Sequence, residues 1–154
     1  MREIEFRGKI KYIPGYFGCS KDKNDGEWVY GDLECHRIDE LVRIHCYSED
    51  KKYYRQYDVD PNTVGQFTGL LDKNGKKIYE GDIVKHPYVD PIFRDLVESK
   101  EGDGVTSEVV FHDGAFVVKY DENDFIYLDA FTRHGYIEVI GNIHDNSELV
   151  KYKQ

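Results

Sequence analysis

Val64–His86 reads VGQFTGLLDKNGKKIYEGDIVKH, and its 23 residues hold two turn signals and a strand start. Asn74-Gly75 is the stronger turn signal, because both residue types tolerate the positive φ of a type I′ hairpin turn. A two-residue loop there would pair Asp72 with Lys77 and Leu71 with Ile78. The first pair would be exposed, and Leu71 and Ile78 would point into a core. Lys73 and Lys76 beside the turn suit a short edge, where charge discourages strand addition. Glu80-Gly81-Asp82 reads as a second turn ahead of a buried strand at Ile83-Val84. Glu-x-Asp could suggest a metal or acid–base site. We read it instead as a turn centred on Gly81, with Asp82 a turn residue and a carboxylate bonding nearby backbone N–H groups.

Outward from this stretch the chain alternates. In residues 2–13, Ile4, Phe6, Ile10 and Tyr12 mark a strand broken or bent at Gly8. Glu27–Ile38 and Leu41–Ser48 read as an antiparallel pair turning on Asp39-Glu40, with Leu33 opposite Cys46, Cys35 opposite Ile44 and Arg37 opposite Val42. Leu33, Cys35, Val42, Ile44 and Cys46 would share the inner face, and Glu34, His36, Arg43 and His45 the outer one. A second hairpin turns on Asp113-Gly114, pairing Phe111 with Phe116 and Val109 with Val118, both of its faces apolar. Asp90-Pro91, followed by Ile92, Leu96 and Val97, predicts a short amphipathic helix over about 90–102. Phe125–Phe131 reads as a strand or extended segment and Tyr136–Ile140 as a strand. Asn142–Val150 ends in a short helical turn capped by Asn146 or Ser147.

Several separated motifs point one way. TVGQFTGLLDKNGKKIYEGDIV from Thr63, GEWVYGDL (Gly26–Leu33), EVVFHDGAF (Glu108–Phe116) and EVIGNIHDNSEL (Glu138–Leu149) together resemble, in this order, the YopX family of phage and prophage proteins. The resemblance covers most of the chain. Ser147 departs from it, standing where the family's run carries Pro, which alters the cap of the terminal turn. The resemblance implies a β-rich fold with an SH3-like barrel and a phage or prophage origin. It implies no catalytic residues.

Short strands, close turns and few helices predict by themselves a mainly β (β-rich α+β) chain with a barrel; the SH3-like type comes from the resemblance. We expect an N-terminal antiparallel β section over 1–61 and an SH3-like barrel section over 62–154, with the helix inserted near 90–102. At 154 residues the chain can bury a core without staples. Three cysteines, Cys19, Cys35 and Cys46, are an odd count that fits reduced thiols in a host cytoplasm. Met1-Arg2-Glu3 leads into alternation rather than an apolar run, so no signal peptide and no membrane span are expected.

Net charge is −9. Residues 1–60 carry 11 basic and 13 acidic groups, whereas Asp90–Asp124 alone carries ten acidic groups against Arg94, Lys100 and Lys119. That field repels phosphate backbones and favours a basic host or phage protein as partner; homo-oligomer formation stays open.

No motif carries chemistry. Cys35-His36 and His45-Cys46 lack zinc spacing, and adjacent strand residues point to opposite faces, so no metal or cofactor is expected. None of the five serines or three cysteines sits in a hydrolase motif. Gly102-Asp103-Gly104 has glycines but no following Lys. One basic–aromatic cluster stands out, KKYYRQY: Lys51, Lys52, Tyr53, Tyr54, Arg55 and Tyr57. It could contact a partner or single-stranded nucleic acid, or simply be an edge strand packing tyrosine rings on lysine stems. The function expected is a non-catalytic cytoplasmic interaction module; the alternatives are a single-stranded nucleic-acid binder and an enzyme whose site is assembled from distant residues.

Overall fold

The computed structural model describes residues 3–13, 23–35, 41–47, 52–87, 104–120 and 124–150. The helix expected over 90–102, together with His36, the Asp39-Glu40 turn and Lys51, lies outside them. The chain divides into two compact units, Met1–Phe67 and Thr68–Gln154.

The first unit holds β1 (Phe6–Lys9), β2 (Trp28–Cys35), β3 (Val42–Tyr47) and β4 (Tyr54–Val59). A 3-10 turn at Pro61–Thr63 then leads into β5 (Gly65–Leu71). Asp60 caps that turn, its carboxylate accepting from the Asn62 N–H. Ile10, Val29, Ile44, Tyr57 and Val59 form the core, with Phe6, Leu33, Val42 and Cys46 packed against it. Strand β1 runs unbroken through Gly8. Glycine is there for space, since a Cβ would stand 3.0 Å from the Val59 side chain. A single bridge joins Ile10 to Val59 without extending into a ladder.

β2 and β3 pair two residues away from the expected register, Leu33 opposite Ile44 and Cys35 opposite Val42. The slip of two preserves each residue's face. It leaves Cys35 exposed at the strand's end rather than buried.

The second unit holds β6 (Lys77–Tyr79), β7 (Asp82–His86), β8 (Val105–His112), β9 (Ala115–Lys119) and β10 (Phe125–Tyr127). Helix α1 (Leu128–Thr132), β11 (Glu138–Asn142) and a 3-10 turn at Ser147–Leu149 complete it. Ile78, Val84, Val109, Val118, Leu128, Phe131 and Ile137 are its core. Residues 125–131, expected to be extended throughout, turn helical after Tyr127. Leu128 and Phe131, three apart, then bury on one helical face. Asn146 precedes the last turn without a side-chain cap bond.

The Asn74-Gly75 hairpin differs from expectation. The Asp72 N–H donates to the Lys76 carbonyl (2.8 Å) and the Gly75 N–H to the Asp72 carbonyl (3.0 Å). The loop is therefore three residues, Lys73–Gly75, with Gly75 at φ 80° and Asn74 on the ordinary side. Lengthening the loop by one residue flips the strand. Leu71 is 50% exposed, Leu70 packs on the core, and Asp72 is buried. The second hairpin has Phe111 opposite Phe116 and Val109 opposite Val118, with Asp113 (φ 48°) and Gly114 (φ 81°) at its tip. Its end is solvated, and Phe111 is exposed with its ring edge-on to Phe116.

A Cβ at Gly75 or at Gly114 would meet nothing within 4 Å. The cost of Gly75→Val and Gly114→Val is thus conformational, about 1–3 kcal/mol each for a β-branched residue at positive φ. Lys76→Val should be nearly neutral. Equal chemical-denaturation midpoints for parent and all three variants would remove these turns as register-setting elements.

The strand orders are β4-β3-β2-β1-β5-β6 and β10-β9-β8-β7-β11. Both sheets are open: no sheet closes into a barrel, which corrects the SH3-like barrel expected for 62–154. Closure requires the edge strands to pair. In the five-stranded sheet the edge strands are β10, which has three residues and passes straight into α1, and β11, which ladders with β7; among the described residues the two do not pair.

Candidate functional site

Alternation along β2, β3 and β4 sends one set of side chains into the first unit's core and the other onto the opposite face. Trp28, Tyr30, Asp32 and Glu34 alternate with core residues Val29 and Leu33; Arg43, His45 and Tyr47 alternate with Ile44 and Cys46; Tyr54, Gln56 and Asp58 alternate with Tyr57 and Val59. Register then lines them up, Glu34–Arg43–Asp58 in one row, Asp32–His45–Gln56 in the next, and Tyr47–Tyr54 beyond.

The rows run from buried to open. Arg43 Nε meets Asp58 Oδ1 at 2.9 Å, both side chains only 6% exposed. Two charges that deep are tolerable because each satisfies the other. His45 Nε2 and Glu34 Oε2 are 2.8 Å apart. The His45 ring stacks on Tyr54 at 5.6 Å, and Tyr54 lies 6.1 Å from Tyr47. Tyr47 and Tyr54 of the outer row are 53% and 60% exposed and Tyr30, on the same face of β2, is 47% exposed, so this end of the face is an aromatic surface in water. At the β1 end, Arg7 and Lys9 lie over the Trp28 ring, 4.8 and 5.5 Å from its centre.

The strand pleat divides the KKYYRQY run. Lys52 and Tyr53 are exposed ahead of β4, Tyr54 lies on the aromatic face, and Arg55 alternates to the other side. Tyr57 is a core residue, 2% exposed. In exchange Tyr30 and Tyr47 join the face from β2 and β3. The signal for them was present in the sequence, since stepping by two from Glu34 and His45, already placed on one face, reaches both.

The turn residues have structural surroundings. Gly81 is at φ 79°. Asp82 is buried, and its Oδ2 accepts from the Tyr79 N–H at 2.8 Å. Among the described residues no group of three or more His, Cys, Asp or Glu is placed to hold a metal ion. No helix among them is long and apolar enough to cross a membrane.

Sequence reasoning missed one hydroxyl–imidazole pair. Ser107 Oγ lies 3.0 Å from His86 Nε2, and His86 Nδ1 lies 2.8 Å from the Pro87 carbonyl. That carbonyl can only accept, so Nδ1 carries the proton and Ser107 donates to Nε2. Serine, base and orienting acceptor are in place. Both side chains are only 1% exposed, however, and the His86 ring packs 4.5 Å from Phe131, so the pair is enclosed. Burial holds the His86 pKa below its usual value, against the opposing effect of the Pro87 bond. The stability this contributes is full above the unfolded pKa of about 6.5 and is lost as pH falls from there through the folded value. His86→Gln should flatten that part of the stability–pH curve, as read from urea midpoints. An unchanged slope would show that other groups carry it.

Two open antiparallel sheets and, among the described residues, a single short α-helix define a mainly β protein. The chain belongs to the YopX family: the family's model, described as YopX protein, matches residues 20–151. The crystal structure of protein EF1440 from Enterococcus faecalis is similar, with 22% identity and a TM-score of 0.54 over 98% of this chain and 100% of that one. At that identity the likeness speaks to fold alone. None of the curated proteins matches the chain.

Proposed function

We propose that this YopX-family chain, of phage or prophage origin, is a non-catalytic interaction module acting in the host cytoplasm through the open face of β2, β3 and β4. The supporting observation is the aromatic row. Tyr30, Tyr47 and Tyr54 present large, stiff rings to water on a sheet held from behind by a packed core. Tyrosines are favoured in recognition because they bury much area for little rotamer entropy. The enclosure of the Ser107–His86 pair weighs against catalysis there.

The test is a photo-crosslinking residue at Tyr54, with Tyr127 of β10, equally exposed, as control. In lysogenic or infected cells a discrete protein adduct is expected from position 54 and not from 127. It should disappear when Tyr47→Ala is added. Identical patterns from both positions, or no adduct at 54, would end this reading.

A further inference from the structure

The charges on this face indicate what kind of partner it fits. Of the ionisable groups there, Arg43 and Asp58 are buried against each other, and Arg7 is buried. Lys9 sits over Trp28, at the β1 end. Asp32 is exposed, and the Glu34 side chain is 43% exposed beside His45. Arg55 alternates to the other side of β4, and Lys52 is exposed ahead of the strand. Among the described residues of β2, β3 and β4 that share the face of Tyr30, Tyr47 and Tyr54, then, the exposed formal charge is carboxylate, Asp32 and Glu34.

We propose that the partner is a cationic protein segment that seats an arginine against these tyrosine rings, beside Asp32 and Glu34; the proposal rests on the reading that this face is the contact surface. Ring faces attract a cation, and a guanidinium can stack on a ring while its edge donates to a carboxylate. Arginine fits better than lysine, whose compact ammonium cannot stack. Bases could also stack on tyrosines, but a phosphate strand would meet two carboxylates here and a chain of net charge −9.

The test uses the full chain and a short oligo-arginine peptide at about 50 mM salt, where charged contacts are least screened, followed by calorimetry. Oligo-lysine and oligo-dT are the comparison ligands. Tyr47→Ala/Tyr54→Ala and Asp32→Asn/Glu34→Gln should each weaken oligo-arginine binding about tenfold or more, the scale of losing one charge-assisted contact. Asp113→Asn/Glu148→Gln removes the same formal charge from the other unit and should leave affinity unchanged. Oligo-lysine should bind more weakly and oligo-dT not at all. Equal losses in control and face variants, no oligo-arginine binding, or tighter binding of oligo-dT would each overturn the proposal. If the Tyr54 adduct persists in those cases, the contact face stands and only its cationic partner falls.

Discussion

Gly31→Val should be among the most damaging single changes in the first unit. Gly31 lies inside β2, opposite Phe6 of β1. A Cβ there would stand 2.0 Å from the His45 carbonyl oxygen and 2.8 Å from its carbon. Those are backbone atoms of β3, so relief requires the strands to part rather than a side chain to turn. Overpacking a well-packed site costs about 1–3 kcal/mol, occasionally more; with no flexible neighbour to yield, we expect about 3 kcal/mol or above. Gly31→Ala already carries the offending atom and should lose most of that. Gly26→Ala is the control: its Cβ would meet nothing within 4 Å, although its φ is also positive at 82°. It should cost about 1–2 kcal/mol, the conformational term alone. Denaturation midpoints for Gly31→Ala and Gly26→Ala that coincide would show that the approach of β2 to β3 is not close in solution.

The second large effect is expected at Asp72. Its Oδ1 accepts from the N–H groups of Asn74 (2.8 Å) and Lys76 (2.9 Å), and its Oδ2 from that of Val139 (3.0 Å), 67 residues away. One carboxylate thus closes the three-residue loop and ties it to β11. Next to it the Lys73 N–H donates to the Ile137 carbonyl, and Lys73 Nζ lies 2.6 Å from Glu138. Asp72→Ala strands the buried Val139 N–H and opens the loop. At about 1–3 kcal/mol per unsatisfied buried donor, with the other two donors near solvent, the loss should be about 3 kcal/mol. Asp72→Asn keeps one carbonyl acceptor and should lose less. Burial by itself would raise the Asp72 pKa, but the bonds from Val139, Lys76 and Asn74 outweigh it and hold the group below its usual value. Its contribution is therefore complete above the unfolded pKa of about 3.9 and is lost as pH falls through the lower folded value. If Asp72→Ala matched the parent in urea at neutral pH, the link to β11 would carry no stability.

The two hairpins show how far local sequence reaches. Asp113-Gly114 sits between two apolar runs of equal reach, and both turn residues take positive φ. That register was legible because a two-residue loop is fixed by its own turn chemistry. Asn74-Gly75 offers the same dipeptide signal, yet the loop has three residues. Three backbone N–H groups, one from β11, reward burying the Asp72 carboxylate, and Leu71 is turned out to solvent in consequence. No local rule contains a donor 67 residues away. Phe111 fails for a related reason: alternation gives its face but not where the covering layer stops.

By itself the sequence determined the β class, the position of nearly every strand, the family and the faces of β2 and β3. All of these depend on a side-chain period of two and on turn residues a few positions apart, which neighbouring residues encode. Only the tertiary structure decided that the sheets stay open, since closure depends on whether edge strands distant in the chain meet. It also decided that KKYYRQY is split between core and surface, that Tyr54 of β4 is set beside Tyr47 of β3, and that His86 and Ser107 are enclosed. Each follows from which strands become neighbours, a long-range choice made by the packing of the whole unit rather than by any short stretch of it.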